Sequence, residues 1–207
     1  MSNIYDALQH AGRAQQALEK SDIVAQTPSV EIPSTSLDVT TMGQEMIDLH
    51  RQIDFLLPDS PQRVLQFIGA DPGDGVSTII REYAAMVSAR LEKSVLILDS
   101  NRGEKDQKHF FLLTDNYGWD QALNDPDAME KAISRIGDSN LYVSGLSSRS
   151  STNSLLFDAV QLKDLFAGLK TRFDLVLLDS SPVSSRADST ALSQYVDGVL
   201  LVVEADK

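Results

Sequence analysis

Residues 67–78 read FIGADPGDGVST, a run whose glycines, adjacent hydroxyls and place after an apolar stretch suit it to holding phosphate. In a loop of the G-x-G-K-S/T kind, set between a strand and a helix, backbone N–H groups and the helix N-terminus surround the phosphates. The lysine reaches the terminal oxygens, and the hydroxyl binds Mg²⁺. Here Gly73, Asp74, Gly75, Val76, Ser77 and Thr78 make the loop, and Val76 stands where the lysine belongs. A charge-assisted hydrogen bond contributes roughly 1.5–3 kcal/mol, so its loss alone weakens phosphate binding by about one to two orders of magnitude. Asp71 and Asp74 add further negative charge. Arg81 is a poor substitute on angular grounds: at roughly 100° per residue it lies about 140° around the helix from Val76 and is expected to face elsewhere.

Two carboxylates stand where a metal would be held. The apolar run SVLIL at 94–98 ends in Asp99, and FDLVLL at 173–178 ends in Asp179. Acids at the C-terminal ends of neighbouring parallel strands point into the crevice where open α/β sheets bind ligands. Ser77, Asp99 and Asp179 are therefore the candidate Mg²⁺ set, and Asp99 is also a candidate catalytic group. The alternative is that both acids cap turns after buried strands.

The elements that must position these groups follow from the apolar pattern. Strands are expected at about 63–69, 94–98, 174–178 and 198–203, with another at 140–144, and helical stretches alternate with them. The fold expected is α/β, a P-loop NTPase-like parallel sheet with helices on both faces. Right-handed crossovers then gather Gly73–Thr78, Asp99 and Asp179 at one edge. A helical run from Ser77–Thr78 to about Leu91 follows the loop. An earlier helix is expected from Thr41, whose hydroxyl pairs with Gln44 in a capping box. Met46, Leu49, Ile53 and Leu56 form its apolar face, and Pro58 stops it. Before it, residues 1–20 place Ile4, Leu8, Ala11 and Leu18 near one side, which predicts an amphipathic helix. Residues 21–39, rich in Ser, Thr and Pro, read as a flexible linker, and 40–207 as the P-loop domain. A helix on a tether is a natural docking peptide.

Composition narrows the partners. With 207 residues, 42% of them hydrophobic, one sizeable core is expected. A net charge of −12 with no basic run argues against nucleic acid and against anionic bilayers. No apolar stretch reaches the roughly 18 residues of a membrane span and no signal peptide is visible, so no direct membrane insertion is expected. The absence of cysteine excludes disulfides and thiolate metal sites. His10 and His50 have no partner at ligand spacing, so zinc is not expected.

These residues carry a resemblance. Gly69–Thr78, then LILDSNR ending at Arg102, then LLDSSP ending at Pro182, resemble in order and spacing three motifs of the cytoplasmic P-loop domain of bacterial protein-tyrosine kinases. These kinases partner polysaccharide chain-length regulators and form a branch of the MinD/ParA-like ATPases. The family's first motif, S/T-E/D-x-P-G-x-G-K-S/T-S/T, has drifted at three positions, Gly69, Ala70 and Val76. In D-x-D-x-R, Asp99 is kept, Asn101 replaces the second acid and Arg102 comes one place early; in D-x-P-P, Asp179 and Pro182 are kept and Ser181 replaces the first proline. His109 and Phe111, Gly118 with Leu123, the NLYVSG stretch at 140–145, Asp188 and the DGVLLVVEA strand at 197–205 also match, so the resemblance covers about residues 42–207.

The resemblance implies ATP or ADP with Mg²⁺ at this site, weakened or absent because the lysine and one acid are gone. The family's ring contact, E-x-x-R-x-x-R, stands here as Glu45, Asp48 and Arg51, a charge reversal that puts a homo-oligomer in doubt. Its tyrosine tail is not matched: Tyr5, Tyr83, Tyr117, Tyr142 and Tyr195 are scattered. The function implied is a catalytically degenerate scaffold or regulator in exopolysaccharide or capsule synthesis and export. It would be cytoplasmic, recruited to the inner face of the membrane by a membrane polysaccharide copolymerase or another assembly protein. The alternative is an active tyrosine autokinase or ATPase with a substitute cation, for which Arg102 is the nearest candidate.

Overall fold

Short apolar runs bounded by glycine or aspartate become strands, and the acids at their ends come to lie side by side. The computed structural model describes residues 29–30, 42–59, 61–101, 107–113, 117–125, 127–147, 159–184 and 187–205. The strands are β1 (Ser29–Val30), β2 (Arg63–Gly69), β3 (Val95–Asp99), β4 (Ser134–Ile136), β5 (Leu141–Ser144), β6 (Leu175–Ser180) and β7 (Gly198–Val202). They form one sheet in the order β1-β4-β5-β3-β6-β2-β7. Every pairing is parallel except β4 with β5, so the expected parallel sheet is present with one antiparallel pair near its edge.

Strand alternation sends neighbouring residues to opposite faces. Leu65, Phe67, Val95, Ile97, Leu175 and Leu177 pack on one side, under helices α1 (Gly43–Leu56) and α2 (Val76–Arg90). Val64, Leu96, Leu98, Val176 and Leu178 pack on the other. There they meet the helix Ala159–Arg172 through Leu162, Phe166 and Leu169. Burial on both faces is why β2, β3 and β6 read as nearly unbroken apolar runs. Each such side chain contributes about 1.5–3 kcal/mol. β7 is the far edge: Leu200 and Val202 join the first face, while Val199 and Leu201 are 49% and 61% exposed.

Helix α1 departs from expectation at both ends. It starts at Gly43, its N-cap is Met42, and no side chain caps it. Thr41 lies outside the described residues, and Gln44 Nε2 donates instead to Asp48 Oδ1 at 3.2 Å. Met46 and Ile53 are buried and Leu49 packs beside them, but Leu56 is exposed. Leu57, partly buried, packs against the core in its place, because the chain leaves helical geometry there, ahead of Pro58, and turns inward (φ −127°, ψ 59°). Of the N-terminal segments, the 1–20 helix lies outside the described residues, and within 21–39 only Ser29–Val30 is described, as a strand beside β4.

Candidate functional site

The phosphate loop leaves β2 at Gly69 and ends at Gly75, the left-handed residue that caps α2. Gly73 and Gly75 have φ of 97° and 85°, values that side chains other than glycine rarely adopt, so the loop bends as a phosphate cradle requires. The first-turn N–H groups of α2 have no partner within a helix, which is what makes such a terminus anion-attracting. Val76 is turned the other way. Its side chain is buried in the core, and its Cγ2 sits so near Gly69 that a Cβ there would come within 3.1 Å. Asp74 is nearly buried too, its Oδ2 accepting the Asp71 N–H at 2.8 Å, which places a carboxylate inside the loop.

Asp99 and Asp179 occupy paired register positions on adjacent β3 and β6, both 1% exposed. Their surroundings differ. Asp99 Oδ1 accepts the Asn101 N–H at 2.8 Å and its Oδ2 the Gln107 N–H at 2.6 Å, while its backbone oxygen accepts Trp119 Nε1 at 2.7 Å. Asp179 Oδ2 accepts Gln107 Nε2 at 2.6 Å, and Asp179 Oδ1 has no hydrogen-bond partner. The Ser100 N–H and hydroxyl both reach the Asp179 backbone oxygen at 2.8 Å, stitching the two strand ends together.

Burial pushes the Asp179 carboxyl above the ordinary carboxylate range, opposed by the Gln107 amide, the nearby Ser77 hydroxyl and the Arg81 charge. A buried carboxylate oxygen with no donor, beside a serine hydroxyl at a helix start, fits a divalent cation. Ser77 and Asp179 would hold it. Asp99, each of whose oxygens already accepts a backbone N–H, would meet it through a remaining lone pair. Among the described residues no group of three His, Asp or Glu side chains is arranged to hold a metal, so water or phosphate oxygens would complete the shell.

Arg81 does not face away, as its angular position led us to expect. Its guanidinium donates to Thr78 Oγ1 at 3.1 Å and to Gln107 Oε1 at 3.3 Å, and stacks 4.0 Å over the Phe110 ring. Helical Cα–Cβ bonds tilt toward the N-terminus, so a long side chain covers the turn before its own Cα. Counting degrees around the axis missed that tilt. Gln107, which ties Asp99, Asp179, Arg81 and, more distantly, the Ser77 backbone oxygen together, belongs to no motif, and nothing in its local sequence marks it. Phe111 is buried and Phe110 partly exposed. Arg102 lies outside the described residues.

No family model matches the chain. It is 25% identical over 159 residues to tyrosine-protein kinase YwqD of Bacillus subtilis, covering 77% of this chain and 67% of that protein. It is 27% identical over 160 residues to tyrosine-protein kinase ptk of Acinetobacter johnsonii, of which it spans only 22%. The solved kinase domain of the Escherichia coli tyrosine kinase ETK superposes with a TM-score of 0.70 at 22% identity, covering 83% of this chain and 68% of that one. The chain is thus a homologue of the bacterial tyrosine-protein kinases and has the fold of their kinase domains.

Proposed function

We propose that this chain is a catalytically silent, kinase-like docking domain in exopolysaccharide or capsule assembly. It would bind a membrane polysaccharide copolymerase or another component of that machinery from the cytoplasmic side. The observation that carries this reading is Val76, which is not merely uncharged but committed to the core against Gly69. A side chain packed there gives the phosphates no charge, and the Asp74 carboxylate within the loop repels them.

A resident divalent cation, held by Ser77 and Asp179, would supply charge neutralisation on the phosphates of a bound nucleotide. This chain's own residues do the rest. Gly73, Gly75 and the α2 N-terminus shape the cradle, and Trp119 and Gln107 anchor the β3 end. Asp99, with both oxygens accepting backbone N–H groups, serves as a turn organiser more readily than as a proton acceptor. That no described helix is long and apolar enough to cross a membrane is compatible with recruitment through a partner.

A second reading, a working tyrosine kinase or ATPase, is favoured by one feature, the Arg81 guanidinium folded back onto Thr78 at the loop. Phosphotransfer separates the two. At millimolar Mg·ATP the docking reading expects no nucleotide turnover and no phosphotyrosine on the chain or on added tyrosine peptides. Turnover that Arg81→Gln abolishes would establish the second.

A further inference from the structure

We propose that Gln107 and Arg81 are positioning residues that hold the Asp179 carboxylate with one oxygen turned free toward Ser77, ready for a divalent cation. This rests on the cation site described above and adds the device that presents it. The Gln107 amide has an oxygen end and a nitrogen end, and its neighbours decide which goes where. Arg81 Nη1 has only hydrogens to give, so at 3.3 Å it claims Oε1. Nε2 is then the atom that faces Asp179, donating to Oδ2 at 2.6 Å. With Oδ2 engaged, the carboxylate is held in one orientation, and Oδ1 is left without a partner although the residue is 1% exposed.

Each link of the relay has its own partners. Gln107 is fully buried, and its own N–H is fixed on Asp99 Oδ2. Arg81 is clamped between the Phe110 ring and Thr78 Oγ1. A neutral amide between Arg81 and Asp179 orients the carboxylate without placing the guanidinium on it, so Oδ1 is not taken up by an ion pair. Groups that orient a metal's ligands typically govern affinity by about ten- to a hundred-fold.

The test is Mn²⁺ uptake by the full chain, followed by electron paramagnetic resonance of the free ion, on the native protein, Gln107→Met, Arg81→Gln and the double variant. Methionine keeps the volume and the backbone N–H on Asp99 but donates nothing to Asp179, and a thermal melt without metal checks that each variant is folded. Gln107→Asn, whose amide is drawn back by one methylene, serves if Gln107→Met melts early. The expected result is affinity at least tenfold weaker in each single variant at near-native melting temperature, with the double variant no weaker than Gln107→Met because both act through one amide. Native affinity in Gln107→Met overturns the inference and leaves the cation site standing. Tighter binding also overturns it, since the amide would then be a plug. Additive losses in the double variant overturn the relay, and absence of uptake by the native chain up to millimolar Mn²⁺ overturns both the relay and the site.

Discussion

Asp99 and Asp179 face each other across β3 and β6 at the same depth, yet one has both carboxylate oxygens bonded to backbone N–H groups and the other has one oxygen bonded to nothing. The first arrangement builds a turn, and the second leaves a buried carboxyl only partly satisfied, with the Gln107 amide on one oxygen. Two acids that look equivalent in the chain therefore divide into one committed to backbone contacts and one with an oxygen left over.

A buried carboxylate with one oxygen unpaired should destabilise the fold. Because the Asp179 carboxyl lies above its ordinary value of 3.8, the folded chain holds more protons than the unfolded one between the two values. Stability contributed by this group therefore falls as pH rises through that window. Asp179→Asn removes the penalty and keeps an acceptor for Gln107. The expected outcome is a gain of about 1 kcal/mol at neutral pH, or roughly 2–4 °C in calorimetric Tm, which shrinks as the solution is acidified.

His50 should make the protein acid-sensitive by the opposite route. Burial lowers its pKa from 6.5 against the pull of Asp54, with Lys93 and Arg63 adding to the lowering, and its Nδ1 shares a 2.8 Å hydrogen bond with the Tyr83 hydroxyl. A histidine held neutral in the fold contributes stability that is present above 6.5 and lost as pH falls through that value, since the unfolded chain takes up the proton first. Melting temperature should drop between about pH 7.5 and 5.5, and His50→Gln should flatten that slope. Tyr83→Phe should cost about 1 kcal/mol in chemical denaturation.

Gly118 is fixed by a close crossing of two chain segments. A Cβ there would fall 2.0 Å from the Ser147 backbone nitrogen, in a turn that Asp120 ties to Ser147 through two 2.7 Å hydrogen bonds. Gly118→Ala should cost more than about 2 kcal/mol, because backbone on both sides must move. Trp119, the one tryptophan of the chain, is buried next door with its indole on Asp99, so its fluorescence reports the damage. A red-shifted emission maximum in a still-folded variant is the expected outcome; unchanged emission and stability would mean that the crossing is looser than described.

Much of the scaffold was legible because buried strands announce themselves. β2 was expected at the residues where it is found, and β3, β5, β6 and β7 within two residues. The short β4 was not anticipated, because three residues, SRI, carry too little pattern to count. The candidate site was legible as a set of positions, and its geometry was not. The direction of Arg81 depends on the tilt of helical side chains, and the role of Gln107 on a fold that returns it to Asp99 and Asp179. The unequal fates of the two acids depend on the N–H groups that happen to surround each. None of these is a local property of the chain.

The central claim is that Val76 leaves the phosphate loop without its cation. Calorimetric titration with Mg·ADP, from micromolar to millimolar nucleotide, compares the native chain with Val76→Lys most directly. The account expects weak or undetectable binding by the native protein and binding at least tenfold tighter by the variant. Low-micromolar binding by the native chain, unimproved by the lysine, would contradict it and make Arg81 the cation that the loop already uses.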